Sequence, residues 1–190
     1  ALPIYIGFNS RFSAFVTKSN RGEVGSLIRG VRDRQKYANA DLLDRATLRT
    51  KKALKTPSAL VLNIDIPIHL ISTHWLDWSN SLFGEESWFS RNFAWLDKFN
   101  FELQVSPFID IALTKNEITD RLFSPKDGWY TGGVEFLVFP DRWKGIVMRG
   151  SFGLDLGRAV IAKKYPEKID MSWRENVKKY EIYAGIGLHY

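Results

Sequence analysis

Apolar and polar residues alternate with a period of two along much of this 190-residue chain. Over residues 101–114 one side reads Phe101, Leu103, Val105, Pro107, Ile109, Ile111 and Leu113. The other side reads Glu102, Gln104, Ser106, Phe108, Asp110, Ala112 and Thr114. Successive side chains of a strand point to opposite faces, so the pattern predicts a long strand with one apolar and one mostly polar face. Residues 60–71 repeat it, with Leu60, Leu62, Ile64, Ile66, Ile68 and Leu70 opposite Val61, Asn63, Asp65, Pro67 and His69. Segments 130–138, 146–156 and 180–190 follow the same rule, and near the start Leu2, Ile4, Ile6 and Phe8 face away from Tyr5, Asn9 and Arg11. Six strands are expected.

Two properties separate these strands from those of a soluble sandwich. They run to about 10 residues, the length that crosses a bilayer at a tilt, where sandwich strands are nearer 5 or 6. Their polar faces carry Gly, Ser and single charges, as a water-filled interior does. The expected fold is therefore all-β: a transmembrane antiparallel β-barrel.

The connections fit that expectation. Residues 139–145, with Pro140 and Gly145, form a tight turn, whereas 17–57, 115–128 and 158–178 are long and polar. Short turns on one side and long loops on the other is the asymmetry of outer-membrane barrels. One connection departs from it. Residues 72–99 lie on the short-turn side yet are long, and they hold Trp75, Trp78, Trp88 and Trp95. Phe89, Phe93 and Leu96 recur there at helical spacing. Two readings stay open: an amphipathic segment in the inner-leaflet interface, or a hydrophobic lid on the end of the sheet.

Composition narrows the chemistry. Cysteine is absent, which excludes disulfides, thiolate metal sites and cysteine nucleophiles. The three histidines, His69, His74 and His189, show no ligand spacing. The nearest approach to a nucleophile elbow is Arg149-Gly150-Ser151-Phe152-Gly153, which lacks the Gly-x-Ser-x-Gly pattern. No enzymatic activity, metal or cofactor is expected. No apolar run reaches the roughly 20 residues of a membrane helix, and no signal-peptide pattern is present. A net charge of +6 suggests an anionic partner: nucleic acid, phospholipid or lipopolysaccharide. Seven Trp suit side chains placed at a lipid–water boundary.

The 17–57 loop gathers Lys18, Arg21, Arg29, Arg32, Arg34, Lys36, Arg45, Arg49, Lys51, Lys52 and Lys55. Most suit a solvated surface. Residues 41–55 are expected to form a short helix, with Leu42, Ala46 and Arg49 on one face and Lys51, Lys52 and Lys55 at its C-terminal end. Arg29 differs. Leu27 and Ile28 precede it and Gly30, which permits a sharp turn, follows, as in a packed loop tip. Asp65 and Asp110 fall on the polar faces of two strands, where an arginine fork could bond them bidentately. The alternative is that both acids simply line a wet interior.

These residues carry a resemblance. Ile28-Arg29-Gly30-Val31, Asn63-Ile64-Asp65-Ile66 and Phe108-Ile109-Asp110-Ile111-Ala112 together resemble the C-terminal part of the bacterial surface-antigen barrel superfamily. Its members include the BamA-type outer-membrane insertases and the two-partner-secretion translocators. In that family a long loop folds into the barrel, and an Arg-Gly motif at its tip contacts acids on the inner wall. Here Val31 stands where an aromatic is usual and Ala112 where Gly is usual. The end of the chain also resembles the family's terminal assembly signal, through Tyr183, Gly185, Leu188 and Tyr190.

The resemblance implies that residues 1–190 are the C-terminal portion, about six strands, of a barrel of about sixteen; closed membrane barrels start at 8. It implies a loop lock of Arg29, Gly30, Asp65 and Asp110, and interfacial aromatics at Trp75, Trp78, Trp88 and Trp95. It implies a place in the bacterial outer membrane, where the chain would insert or translocate proteins through a lateral seam at the last strand. The glycines at 185 and 187 would loosen pairing at that seam. The implied partners are outer-membrane lipid and lipopolysaccharide, the rest of the barrel with its periplasmic domains, and nascent outer-membrane proteins or a secreted substrate. Nucleic acid is not among them. Two other readings remain: the barrel anchor of an upstream patatin-like lipase, or a soluble basic β-protein that binds an anionic polymer.

Overall fold

The structure, a computed structural model, describes residues 5–17, 22–24, 27–31, 42–44, 49–51, 55–84, 87–92, 94–116, 118–143, 145–174 and 178–188. The protein is all-β at its centre. Strands β1 (Asn9–Val16), β6 (Ser58–Asp65), β8 (Phe101–Thr114), β9 (Trp129–Pro140), β10 (Ile146–Asp155) and β11 (Tyr180–Leu188) form one antiparallel sheet in that order. A seventh strand, β7 (Ile68–Ser72), pairs with the early half of β8. Two small hairpin pairings belong to the 17–57 loop: β2 (Gly22–Glu23) with β5 (Lys55–Thr56), and β3 (Leu42–Asp44) with β4 (Arg49–Lys51). The sheet has two unpaired edges among the described residues, β1 and β11.

The predicted strands are present with three corrections. The first described strand begins at Asn9; Ile6 makes only an isolated bridge to Ile68, and Leu2 and Ile4 lie outside the described residues. Residues 60–71 are two strands, because Pro67 lacks an N–H and cannot continue the ladder; Gly7 donates to the Pro67 carbonyl at 2.7 Å instead. A register shift between His69 and Ile71 then restores the pairing with β8. Where residues 41–55 are described they form strands and not the expected short helix: Leu42–Asp44 pairs with Arg49–Lys51, while Ala46 and Lys52 lie outside the described residues. Segment-level helix periodicity lost there to cross-strand pairing.

Three connections, 17–57, 115–128 and 156–179, lie at one end of the sheet, here called the loop side. The turn side carries the short β9–β10 connection, a single 3-10 turn at Asp141–Trp143. It also carries the 72–99 insertion. That insertion is helical as its spacing predicts, but in pieces: α1 (Trp75–Phe83), α2 (Trp88–Asn92) and a 3-10 segment, Ala94–Phe99. Thr73 and Asn100 fasten its two ends. Thr73 exchanges hydrogen bonds with Phe101, and the Asn100 amide oxygen accepts the Trp75 N–H at 3.1 Å. Phe93 lies outside the described residues.

The sheet is inside out. On β8 the buried positions are Ser106, Phe108, Asp110, Ala112 and Thr114, while Ile109 is 49% exposed. On β9 Thr131 and Glu135 are buried and Phe136 is exposed. On the edge strand Ile182 and Ile186 are over 70% exposed. The polar face is covered because the 17–57 loop folds back over it. Val24, Ile28 and Val31 of that loop pack against Ala59, Val61, Ala112, Trp129 and Trp173. The small residues on the strands leave room for the loop's aliphatic ones, so the core lies between loop and sheet.

Candidate functional site

The site is built where the tip of this loop meets the polar face. Arg29 sits over the middle of the sheet, and one carboxylate takes most of its donors. Asp110 accepts the Arg29 backbone N–H at 2.8 Å, Nε at 3.0 Å and Nη2 at 2.7 Å. Nη1 donates to Asp65 at 2.6 Å and reaches Glu135 at 3.5 Å. The guanidinium carbon also lies 3.9 Å from the centroid of the Phe108 ring, a cation–π contact. Burial by itself would lower the Arg29 pKa, but the bonds to Asp110 and Asp65 outweigh it and the net shift is upward. The arginine is charged at any relevant pH.

A second tier holds these acceptors. The Asn63 amide donates to Asp110 at 2.9 Å and to the Leu27 carbonyl at 2.8 Å, tying strand and loop together. Arg11 donates to the Asn63 oxygen, and Arg149 pairs with Glu135 at 3.0 Å. Three arginines and three carboxylates therefore share one patch of the polar face. A cavity of about 590 Å³ opens beside it, lined by Arg11, Asp65, Gln104, Glu135 and Arg149 among others.

Gly30 completes the tip for two separate reasons. Its φ of 75° is left-handed, and a Cβ there would come within 3.0 Å of the Leu154 backbone nitrogen. The surface it touches is Gly153, where a Cβ would overlap the Gly30 backbone. Register explains the seat. Asp65, Phe108, Gly133 and Gly153 are successive cross-strand partners, so one row across four strands offers an acid, a ring and two bare backbones. Arg29 bonds Asp65 and lies over Phe108 in the first half of this row, and Gly30 rests on Gly153 at its far end.

Asp65 and Asp110 thus both bond Arg29, as the alternation suggested. The remaining members were missed. Glu135 and Gly153 stand on the polar faces of their strands by the same period of two, and that was the available signal. Phe108 was assigned to the polar face without a role. That these residues meet Arg29 depends on register, which no single strand encodes.

The terminal strand is placed as predicted along its described length. Ile182, Ala184 and Ile186 point away from the loop, and Tyr183, Gly185 and Gly187 toward it. The Tyr183 ring lies across Gly185, in space that a side chain at 185 would need. Leu188 closes β11 opposite Ile146, and Tyr190 lies outside the described residues. The four tryptophans of the insertion divide into two kinds. Trp75 and Trp78 pack edge to face with centroids 5.4 Å apart, whereas Trp88 and Trp95 are exposed, Trp95 with its ring edge to face on Phe99.

A further cluster ties the loop-side connections together. Buried Asp127 accepts from Thr119, from Arg121 at 2.8 and 2.6 Å, and from the Trp173 indole at 2.9 Å. Arg121 also bonds Asp170. Arg174 stacks on both Trp129 and Trp173 with its carbon 4.5 Å from each ring, and burial there lowers its pKa to about 10. The bonds from Ser172, with those from Arg121, hold Asp170 down at about 2. Among the described residues no group of His, Asp and Glu has the arrangement of a metal site. No protein-family model matches this chain, and neither curated proteins nor solved structures give a significant match.

Proposed function

We propose that this chain is the C-terminal part of an outer-membrane β-barrel of the protein assembly or translocation type, and that it acts as a structural machine without bond-making chemistry. The observation that carries the reading is the pairing of two facts. The polar face is filled by an arginine-tipped loop bonded to Asp110, Asp65 and Glu135. The other face presents Ile109, Phe136, Phe152, Ile182 and Ile186 to the surroundings. Soluble proteins rarely expose large contiguous apolar patches, and a soluble, anion-binding β-protein gains nothing from this one. In lipid the same residues are satisfied.

In this reading the loop is latched to the inner wall, and β11 is one lip of a lateral seam. The edge of β11 away from β10 offers backbone donors and acceptors that a substrate strand can pair with, as in β-augmentation. Hydrocarbon penalises any unpaired backbone group, so the seam is stable only when it is closed by another strand. That strand belongs either to the rest of the barrel or to a nascent outer-membrane protein.

The absence of cysteine makes the test direct. Single cysteines along Tyr180–Leu188 in the intact membrane protein should form mixed disulfides with a cysteine-bearing substrate strand during assembly or secretion. Mid-sheet positions such as Ile109 and Phe136 should not. Crosslinks at mid-sheet and none along β11 would overturn the seam. Solubility of the chain without detergent would overturn the membrane reading itself.

A further inference from the structure

On the turn side, the open apolar face meets the 72–99 insertion at a groove of about 340 Å³. This is within the roughly 300–1,000 Å³ of small-ligand sites. Its floor is three outward residues from neighbouring strands, Phe101, Val138 and Met148, of which Val138 and Met148 are cross-strand partners. Its walls are aromatic: Trp75 and Phe99 from the insertion and Trp143 from the short turn. Two cations, Lys98 and Arg142, join Asn100 and Pro140 in the lining, and among the described residues no carboxylate does. Among the described residues neither Lys98 nor Arg142 has an acidic partner.

This arrangement is costly to leave empty in water and is matched to one kind of molecule. The groove continues the apolar face of the sheet, so an acyl chain lying along that face enters it without crossing a polar barrier. The cations sit at the turn-side end, where a headgroup phosphate would lie. Trp75 is held in place by its indole N–H, which donates to the Phe99 carbonyl at 3.3 Å, and by the Asn100 bond to its backbone. The wall is therefore preformed. The geometry points to a binding site for a single anionic glycerophospholipid of the turn-side leaflet, with an acyl chain on Phe101, Val138 and Met148 and its phosphate between Lys98 and Arg142. The inference rests on the membrane reading above and deepens it: the insertion is a lipid clamp, and Trp75, one of its four tryptophans, forms part of the wall.

The test reconstitutes the intact membrane protein into phosphatidylcholine vesicles with a minor fraction of photoactivatable phosphatidylglycerol, or of the matched photoactivatable phosphatidylcholine. Labelled peptides are then mapped. The phosphatidylglycerol probe should label residues 98–101 and 138–148 at least about tenfold more than the phosphatidylcholine probe. Each cation near a membrane surface contributes about fivefold to anionic-lipid attraction. Lys98→Gln with Arg142→Gln should therefore bring labelling down to the phosphatidylcholine level. Both side chains are exposed, so the variants should fold; Lys98→Arg with Arg142→Lys should keep the preference.

Equal labelling by the two probes, or a preference that survives the double glutamine variant, overturns the site. Labelling of Phe152, Ile182 and Ile186 distinguishes the two levels of failure. If those open-face residues are labelled but the groove shows no charge preference, the site alone is wrong. If they are not labelled, the membrane reading fails and the site fails with it.

Discussion

The two faces of the central sheet obey opposite rules. The face under the loop buries Asp110, Glu135 and Asn63, and it is held by direction: each of these polar groups has a partner at the right place. The open face carries Ile109, Phe136 and Ile186 and needs only an apolar medium. A hydrogen-bonded charge is worth much where it is paired and is expensive where it is not, whereas the hydrophobic effect has no direction. The comparison teaches that in this protein specificity is inside and affinity for the surroundings is outside. In a soluble domain the polar face would be the outer one.

The largest effect should come from breaking the loop bond. Removing one partner of a buried ion pair costs about 3–5 kcal/mol because the other charge is stranded. Asp110→Ala should release the loop, seen as rapid proteolysis within 17–57 and a lower unfolding midpoint. Arg29→Asp should do the same, and adding Asp110→Arg should restore part of the protection. If nothing is restored, Arg29 and Asp110 are not the pair that matters.

The matching attack on the other face is Ile109→Arg. A cation on the lipid face of a membrane barrel costs about 2–4 kcal/mol at mid-depth and little near the edges. Chemical unfolding in bilayers should show that loss. The same arginine at Gln104, on the polar face beside the cavity, should be close to neutral. Equal costs at 104 and 109 would erase the distinction between the faces.

A smaller, purely steric change sharpens the comparison further. Gly153→Ala places a methyl group where Gly30 lies, and overpacking of this kind typically costs about 1–3 kcal/mol. Gly150, on the opposite face of the same strand, has nothing within 4 Å of a Cβ, so Gly150→Ala should leave stability unchanged. Loop proteolysis should separate the two alanine variants.

The smallest effect is a pH response of the loop-side cluster. Asp170 titrates at about 2 when folded, below its ordinary value near 3.8. A depressed carboxylate stabilises the fold above its unfolded pKa, and that contribution is lost as pH falls through the folded one. Between about pH 4 and pH 2 the contact of Asp170 with Arg121 and Ser172 should loosen, raising hydrogen exchange at Ser172. In Asp170→Asn that step should disappear, and persistence of the step in the variant would assign it to another group.

Period-two alternation carried most of the sheet. It placed β8 at its observed ends, Phe101 and Thr114, assigned Asp65 and Asp110 to the polar face, and gave the open face its apolar row. What it could not supply was anything set by a neighbour. Pro67 breaks a strand whose alternation continues through the break, because the pattern records faces and the ladder records N–H groups. Glu135 and Gly153 become partners of the loop tip only once β8, β9 and β10 are in register. The helix expected over 41–55 failed for the converse reason: short spacing matches in a loop carry little weight against backbone pairing. Arg29 was legible because its flanking Leu27, Ile28 and Gly30 differ from the rest of a basic loop.

The seat beneath Gly30 has a consequence for the order of events during folding. Gly153 belongs to β10, and Gly133 beside it belongs to β9. More than a hundred residues of chain separate them from the loop tip, which takes Gly153 of β10 under Gly30 and Glu135 of β9 beside Arg29. The tip has no complete landing place until that late hairpin has zipped. Loop closure is therefore a checkpoint: a protected 17–57 segment reports that the distal end of the chain has already folded.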